Sequence, residues 1–200
     1  MTNRISDLNL FFSTPVWTSK INNHFEVNKK IFKYIKNLEE NDLIGIQKSN
    51  LKGWHSKDFD LNQKEIKEYV NAIGPNLNEA LIDMGWDLIN QQVKITSMWS
   101  IINRSDATNV PHIHSNSFIS AAYYVKAPKN CGDIVLQDPR KEPVYFHPKV
   151  INPNKLNTNN VKITPEEGLL ILFPSYIHHS VEANNSKEER VVISFNIDLS

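Results

Sequence analysis

The fold is decided by the stretch Gly168-Leu-Leu-Ile-Leu-Phe-Pro-Ser-Tyr-Ile-His-His179. A short continuous apolar run bounded by glycine and proline predicts a buried strand. Pro174 ends this strand, and two histidines follow it at the rim where the chain leaves the core. The stretch therefore joins a strong structural signal to side chains that carry chemistry.

Further strands surround this one in the second half of the chain. They are predicted over residues 93–101, 118–125, 133–137 and 191–197, with turn residues between them. Many short strands with turn-rich links favour a barrel or a sandwich. We treat residues 1–200 as one domain in which residues 91–200 form the β core.

The first 90 residues carry helical signals instead. Apolar residues three and four apart predict helices over residues 27–40, over residues 61–72 with Asp60 as a cap, and over residues 76–84 after Pro75. Helices first and strands later indicate an α+β layout. We therefore expect residues 1–90 to be mainly helical support for one side of the β core.

The composition narrows the choice of partners and compartment. Lys+Arg and Asp+Glu both number 22, so no global field favours nucleic acid or an anionic membrane, and we expect neither as a partner. The single cysteine, Cys131, cannot form an internal disulfide, which fits a reducing compartment. We see no signal peptide at the start and no apolar run long enough to span a bilayer. We therefore expect a cytoplasmic protein.

Four of the seven histidines fall into two clusters, and those clusters predict a metal site. In extended chain His112 and His114 point to the same side and can converge on one ion. Neutral imidazole binds iron, zinc, copper or nickel. Two solvated histidines, or rim histidines with ordinary hydrogen bonds at positions 178 and 179, would give the same pattern. The isolated histidines are interpreted as surface or packing residues: His24, His55 and His147. A place in a pocket wall stays the alternative to a structural role for Trp54, His55, Trp99, Asn103, Arg104 and Arg140.

Arg190 adds an anion-binding element. Alternation along its strand puts Arg190, Val192, Ser194 and Asn196 on one face. An inward arginine is costly unless it meets an anion, and its planar fork suits a carboxylate. With a metal and the Ser194 hydroxyl, it predicts a site for a chelating dicarboxylate. A surface arginine beside two glutamates is the alternative.

The order His-x-His, a long gap, His and then Arg resembles the 2-oxoglutarate- and Fe(II)-dependent oxygenases. More narrowly, the chain resembles a subfamily found among bacterial and phage proteins, over nearly its whole length. The stretches that carry the resemblance are residues 12–17, 53–56, 112–116, 120–125, 137–140, 173–175, 179–181 and 189–196.

The resemblance implies a double-stranded β-helix, or cupin-like jelly-roll, with flanking N-terminal helices. It implies Fe(II) and 2-oxoglutarate as cofactors, oxygen as co-substrate, and hydroxylation of a prime substrate that the sequence does not identify. The family's distal metal ligand maps onto His179 and its carboxylate-binding arginine onto Arg190. A tyrosine, Tyr123 or Tyr124, would help to bind 2-oxoglutarate, and we choose Tyr124. Ser194 is the nearest hydroxyl on the arginine's face, because the family's usual small residue is replaced by Val192.

The chain departs from the family at the first ligand pair, where histidine replaces the usual carboxylate. We choose His112, His114 and His179 as the metal ligands. Asn116 on the same face, or a remote carboxylate from Asp133 or Asp138, stays open. Because each imidazole must be neutral to bind, we expect metal affinity to fall as the pH drops through about 6.5.

Two other functions share parts of this pattern. A three-histidine dioxygenase that does not use 2-oxoglutarate has the same ligands but needs no arginine clamp. A non-catalytic jelly-roll that binds a metal or a sugar is the third possibility. Fold alone does not separate these functions.

Overall fold

The structure, a computed structural model, describes residues 5–140 and 148–200. Within these residues the chain forms two β-sheets and two α-helices. The helices are α1 (His24–Asn41) and α2 (Lys64–Asp83). The strands are β1 (Trp17–Lys20), β2 (Asn50–Leu51), β3 (Trp54–His55), β4 (Val93–Asn103), β5 (Thr108–His112), β6 (Ile119–Lys126), β7 (Ile134–Gln137), β8 (Asn160–Ile163), β9 (Leu169–Pro174), β10 (His179–Val181) and β11 (Arg190–Leu199).

The strands form a six-stranded sheet in the order β1-β9-β6-β11-β4-β3 and a five-stranded sheet in the order β2-β5-β10-β7-β8. Every pairing is antiparallel. From β4 to β11 the chain passes repeatedly between the two sheets, with one hairpin, β7–β8, inside the smaller sheet. This winding is the double-stranded β-helix, so the predicted fold is confirmed.

Both helices pack on one face of the six-stranded sheet. Their apolar stripes, such as Ile31 and Ile35 of α1 and Ile66 and Ile73 of α2, are buried in a single cluster with that face. A smaller apolar cluster lies between the two sheets. The helices therefore bury one face of the large sheet and leave the other for a cavity. No helix among the described residues has the length and apolarity that a membrane span requires.

The prediction of two separate helices over residues 61–84 was wrong, because α2 is one helix with Pro75 inside it. The proline removes one backbone hydrogen bond, but its side chain is exposed and the buried stripe continues from Ile73 to Leu77. Asp60 does not cap the helix either. It accepts a hydrogen bond from the backbone N–H of Asn62 (2.9 Å) in the preceding turn, and Gln63 is the cap residue.

Candidate active site

A cavity of about 810 Å³ lies between the two sheets. Its floor is the face of the six-stranded sheet that the helices leave free, and its opposite wall comes from the five-stranded sheet. This volume lies within the range of small-molecule binding sites. The cavity is lined by every site residue chosen from the sequence: His112, His114, Tyr124, His179, Arg190 and Ser194.

Three histidines converge in this cavity. His112 ends β5, and its register partner in the neighbouring strand is His179 at the start of β10. His114 follows two residues later, with the intervening Ile113 side chain exposed. Ligand nitrogens of the three rings all lie within 4.8 Å of one another. They are the only such group of potential metal ligands in the described parts of the chain.

Hydrogen bonds orient all three rings. Nδ1 of His112 donates to the carbonyl of Val110 (2.7 Å), and Nδ1 of His179 donates to that of Ile177 (3.0 Å). A carbonyl only accepts, so these two rings carry their proton on Nδ1 and present a bare Nε2. Nδ1 of His114 bonds to a side-chain oxygen instead. This donor set fits an Fe(II) ion, for which neutral imidazole is a suitable ligand.

Burial keeps these rings neutral. Desolvation lowers the pKa of His114 to about 4 and that of His179 to about 3, and it also lowers the pKa of His112. All three are therefore ready to bind a cation at neutral pH. The expected loss of metal affinity at about pH 6.5 needs correction, because burial moves protonation of the free site to lower pH.

The other candidate ligands lie elsewhere. Asn116 is exposed in a turn with a φ of 62°, and Asp138 forms an ion pair with Arg140 (2.7 Å). Asp133 does not join the converging group, and the His178 side chain is exposed. His24 lies at the start of α1 and contacts the carbonyl of Ile21, whereas His147 lies outside the described residues.

Arg190 is 1% exposed, and no carboxylate of the described residues forms an ion pair with it. Its Nη1 donates to the backbone carbonyls of Cys131 and Gly132, while its Nε and Nη2 make no hydrogen bond with a described residue. The neighbouring Glu188 pairs with Lys126 (3.0 Å). Arg190 is therefore not a surface ion-pair residue. Its Nε and Nη2, which have no hydrogen bond with a described residue, suit a carboxylate brought by a ligand.

Tyr124 and Ser194 lie on the same side of the sheet as Arg190. Tyr123 points the other way, toward the helices, and donates to Oδ1 of Asn28 (2.5 Å). Burial raises the pKa of Tyr124, so its phenol stays protonated and can donate a hydrogen bond. The Ser194 hydroxyl also has no hydrogen bond to a described residue. Both groups are available to a ligand in the cavity.

The sequence interpretation preferred a structural role for His55 and Trp99 and left a place in a pocket wall as the alternative, and the structure places both in the cavity wall. His55 lines the cavity, and its ring stacks on Trp99 with centroids 5.6 Å apart and planes 7° apart. Trp99 in turn lies 5.4 Å from the ring of His114. His55 reaches this place because β3 pairs with β4, with His55 opposite Ile101. A two-residue strand is too short for its pairing to be read from sequence periodicity.

A jelly-roll with converging imidazoles and a buried arginine that has no ion-pair partner among the described residues is the arrangement expected of a non-haem metal enzyme. A family model described as "Putative 2OG-Fe(II) oxygenase" matches residues 97–196. The chain belongs to this family of 2-oxoglutarate- and Fe(II)-dependent oxygenases. No curated protein matches it by sequence.

Solved structures share the fold at low sequence identity. A Pseudomonas putida prolyl-4-hydroxylase is 10% identical, with a TM-score of 0.64 and 92% of each chain covered. The carbocyclase SnoK from nogalamycin biosynthesis is 13% identical, with a TM-score of 0.65 and coverage of 94% of this chain and 81% of SnoK. HygX from Streptomyces hygroscopicus, with nickel, 2-oxoglutarate and hygromycin B bound, is 10% identical, with a TM-score of 0.59 and coverage of 92% and 82%.

Family membership decides among the functions that the sequence left open. It implies Fe(II) and 2-oxoglutarate as cofactors and oxygen as co-substrate. It favours a 2-oxoglutarate-dependent oxygenase over a three-histidine enzyme without this co-substrate and over a non-catalytic binding protein.

Proposed function

We propose that this oxygenase is a hydroxylase in which His112, His114 and His179 hold Fe(II) while Arg190, Ser194 and Tyr124 hold 2-oxoglutarate. One observation carries the proposal. A buried arginine with no counter-ion among the described residues lies in the same cavity as three imidazoles that converge on one point.

The three imidazoles would hold the metal from one side and leave positions on the other side for co-substrate and oxygen. When bound, Fe(II) and 2-oxoglutarate together supply the oxidative chemistry that inserts oxygen into a C–H bond of the prime substrate. The protein's part is to orient the rings. Carbonyls of Val110 and Ile177 fix two of them from behind.

The guanidinium of Arg190 would bind the far carboxylate of 2-oxoglutarate through its free Nε and Nη2. A paired, charge-assisted contact of this kind fixes both position and orientation. Tyr124 and Ser194 add neutral hydroxyl donors on the same face. Val192 and Phe173 also line the cavity, and apolar walls of this kind would strengthen the contact between guanidinium and carboxylate.

The prime substrate would occupy the rest of the cavity. The cavity wall also includes Ser49 and His55 from the N-terminal region and Trp99 from the β core. Ser49 and His55 lie outside residues 97–196, which the family model matches. We therefore assign recognition of the prime substrate in part to the segment that precedes the shared region.

Two further observations support the cofactors and the compartment. HygX shares the fold and was crystallised with 2-oxoglutarate and nickel, a divalent metal. Cys131 is a buried free thiol in the described structure, which fits a reducing cytoplasm as the place of action.

The test is conversion of 2-oxoglutarate to succinate by the purified protein with Fe(II) under air. We expect succinate to form with Fe(II) and not with Ni(II), and the H179A variant to form none. Oxygen consumption without succinate formation would contradict the proposal and favour a dioxygenase that does not use 2-oxoglutarate. Anaerobic binding of 2-oxoglutarate to the Ni(II)-loaded protein provides a second measurement, and its absence would also contradict the proposal.

A further inference from the structure

The side chain of Asn196 lies directly behind His114. Its Oδ1 accepts a hydrogen bond from Nδ1 of His114 (2.7 Å) and another from the hydroxyl of Ser120 (2.9 Å). Its Nδ2 donates to the hydroxyl of Ser97 (3.0 Å). The Ser120 hydroxyl is also 2.7 Å from that of Ser175, and both serines are fully buried. Asn196 is therefore held on both sides of its amide within a partly buried polar network.

His114 differs from the other two histidines in the group that orients it. His112 and His179 bond to backbone carbonyls, which only accept, so their protons are fixed on Nδ1 whatever side chains surround them. His114 bonds to an amide side chain, which presents either an oxygen or an NH₂ group. An NH₂ group facing Nδ1 would move the ring proton to Nε2, where it blocks metal binding.

The need to fix the position of the ring proton follows from the residue at position 114. A carboxylate has two equivalent oxygens and no tautomers, whereas imidazole binds a metal through Nε2 only when its proton is on Nδ1. A histidine in place of the family's usual carboxylate therefore requires an acceptor behind it. Asn196 reaches that place from β11, two residues beyond Ser194 on the cavity face.

We propose that Asn196 is a positioning residue that fixes His114 in its Nδ1–H tautomer and so presents Nε2 to the metal. This inference rests on the proposed role of His114 as a ligand. Loss of an outer hydrogen-bond partner of a metal ligand typically lowers metal affinity roughly tenfold to hundredfold. The effect should depend on the acceptor oxygen and not on the shape of the side chain.

The experiment compares N196L, which removes the acceptor, with N196D, which keeps it at nearly the same size. S97A is the matched control, because it removes only the partner of the amide NH₂ group. Nitrogen-15 NMR of the metal-free proteins reports the tautomer of His114, and titration with Co(II) reports metal affinity. Thermal unfolding of each variant checks that the fold is retained.

We expect His114 to be the Nδ1–H tautomer in the wild type, N196D and S97A, and a mixture of tautomers in N196L. Co(II) affinity should fall roughly tenfold to hundredfold in N196L only. Wild-type tautomer and affinity in N196L would overturn the inference, as would equal losses in N196L and N196D. The H114A variant tests the ligand set separately from the role of Asn196. Full Co(II) affinity in H114A would reject the proposed ligand set. A loss of affinity in H114A without a loss in N196L would reject only the role of Asn196.

Discussion

The two faces of strand β11 differ in their chemistry. The face toward the helices is apolar and fully buried, and it consists of Val191, Ile193, Phe195 and Ile197. The face toward the cavity carries a cation, a hydroxyl and an amide, and it consists of Arg190, Val192, Ser194 and Asn196. The alternation of side chains along β11 therefore places its packing residues on one face and its polar, ligand-facing residues on the other.

This separation shows how the fold supports a polar ligand site. β11 pairs with β4 along its length and with β6 on its other side, so its backbone is held on both edges. Packing against α1 and α2 stabilises the strand from one face. The other face can therefore carry polar side chains, and two of them, Arg190 and Ser194, keep donors that have no partner among the described residues. Changes on the helix face should therefore alter stability, and changes on the cavity face should alter ligand binding.

The largest effect should come from the helix face. Changing Phe195 to Ala removes a fully buried ring and should lower the free energy of unfolding by about 3–5 kcal/mol. Urea-induced unfolding of the metal-free protein measures this. The matched change on the cavity face, S194A, should alter stability by less than about 1 kcal/mol, because its hydroxyl has no partner among the described residues. Equal losses of unfolding free energy in F195A and S194A would contradict the division between a packing face and a ligand-binding face.

The next effect concerns the metal. Changing His179 to Ala should lower Co(II) or Fe(II) affinity by more than about a hundredfold, beyond the loss expected for an outer hydrogen-bond partner. The neighbouring H178A should leave affinity unchanged, since that side chain is exposed. Calorimetric titration of the two variants decides between adjacent histidines. Full metal affinity in H179A would remove this residue from the proposed ligand set.

A smaller effect is expected at the arginine. Changing Arg190 to Leu should raise the dissociation constant of 2-oxoglutarate roughly tenfold to hundredfold, the value of a charge-assisted contact of about 1.5–3 kcal/mol. Metal affinity should stay unchanged. R190K keeps the charge but loses the planar fork. Its affinity for 2-oxoglutarate should therefore lie between that of the wild type and that of R190L. Anaerobic titration of the Ni(II)-loaded proteins measures all three, and unchanged binding in R190L would place the clamp elsewhere.

A further effect concerns pH. The unfolded chain takes up protons on its histidines below about pH 6.5, whereas burial lowers the pKa of His114 to about 4 and that of His179 to about 3. Between these values the unfolded state holds more protons than the folded state. The metal-free protein should therefore lose stability as the pH falls from 6.5 to 4, at a limit of about 1.4 kcal/mol per pH unit for each such histidine.

Urea unfolding across this pH range tests the pH effect. H114Q should flatten the dependence because glutamine does not titrate. A stability that stays constant between pH 6.5 and 4 would show that the cavity histidines are not desolvated.

Local patterns in the sequence predicted much of this arrangement. Alternation placed Arg190 and Ser194 on one face, and His112 and His114 on one side of the chain, because a strand repeats every two residues. Pro75 misled the helix prediction, since burial of Ile73 and Leu77 on either side outweighs one lost backbone hydrogen bond. Local pattern decides where a side chain points along its own element.

Long-range pairing could not be read in the same way. The register that sets His112 opposite His179 joins two segments that lie far apart in the chain. The sequence of neither segment determines this register alone. The pairing of the two-residue strand that brings His55 to the cavity wall could not be read from local sequence either. Nor could the absence of a partner for Nε and Nη2 of Arg190 among the described residues. Such features depend on which surfaces meet after folding.

The most direct test of the central claim is a crystal structure of the protein soaked without oxygen in Fe(II) and 2-oxoglutarate. The proposal predicts iron bound by Nε2 of His112, His114 and His179, with the far carboxylate of 2-oxoglutarate on Nε and Nη2 of Arg190. Iron bound by two imidazoles and a protein carboxylate, or 2-oxoglutarate held away from Arg190, would contradict it.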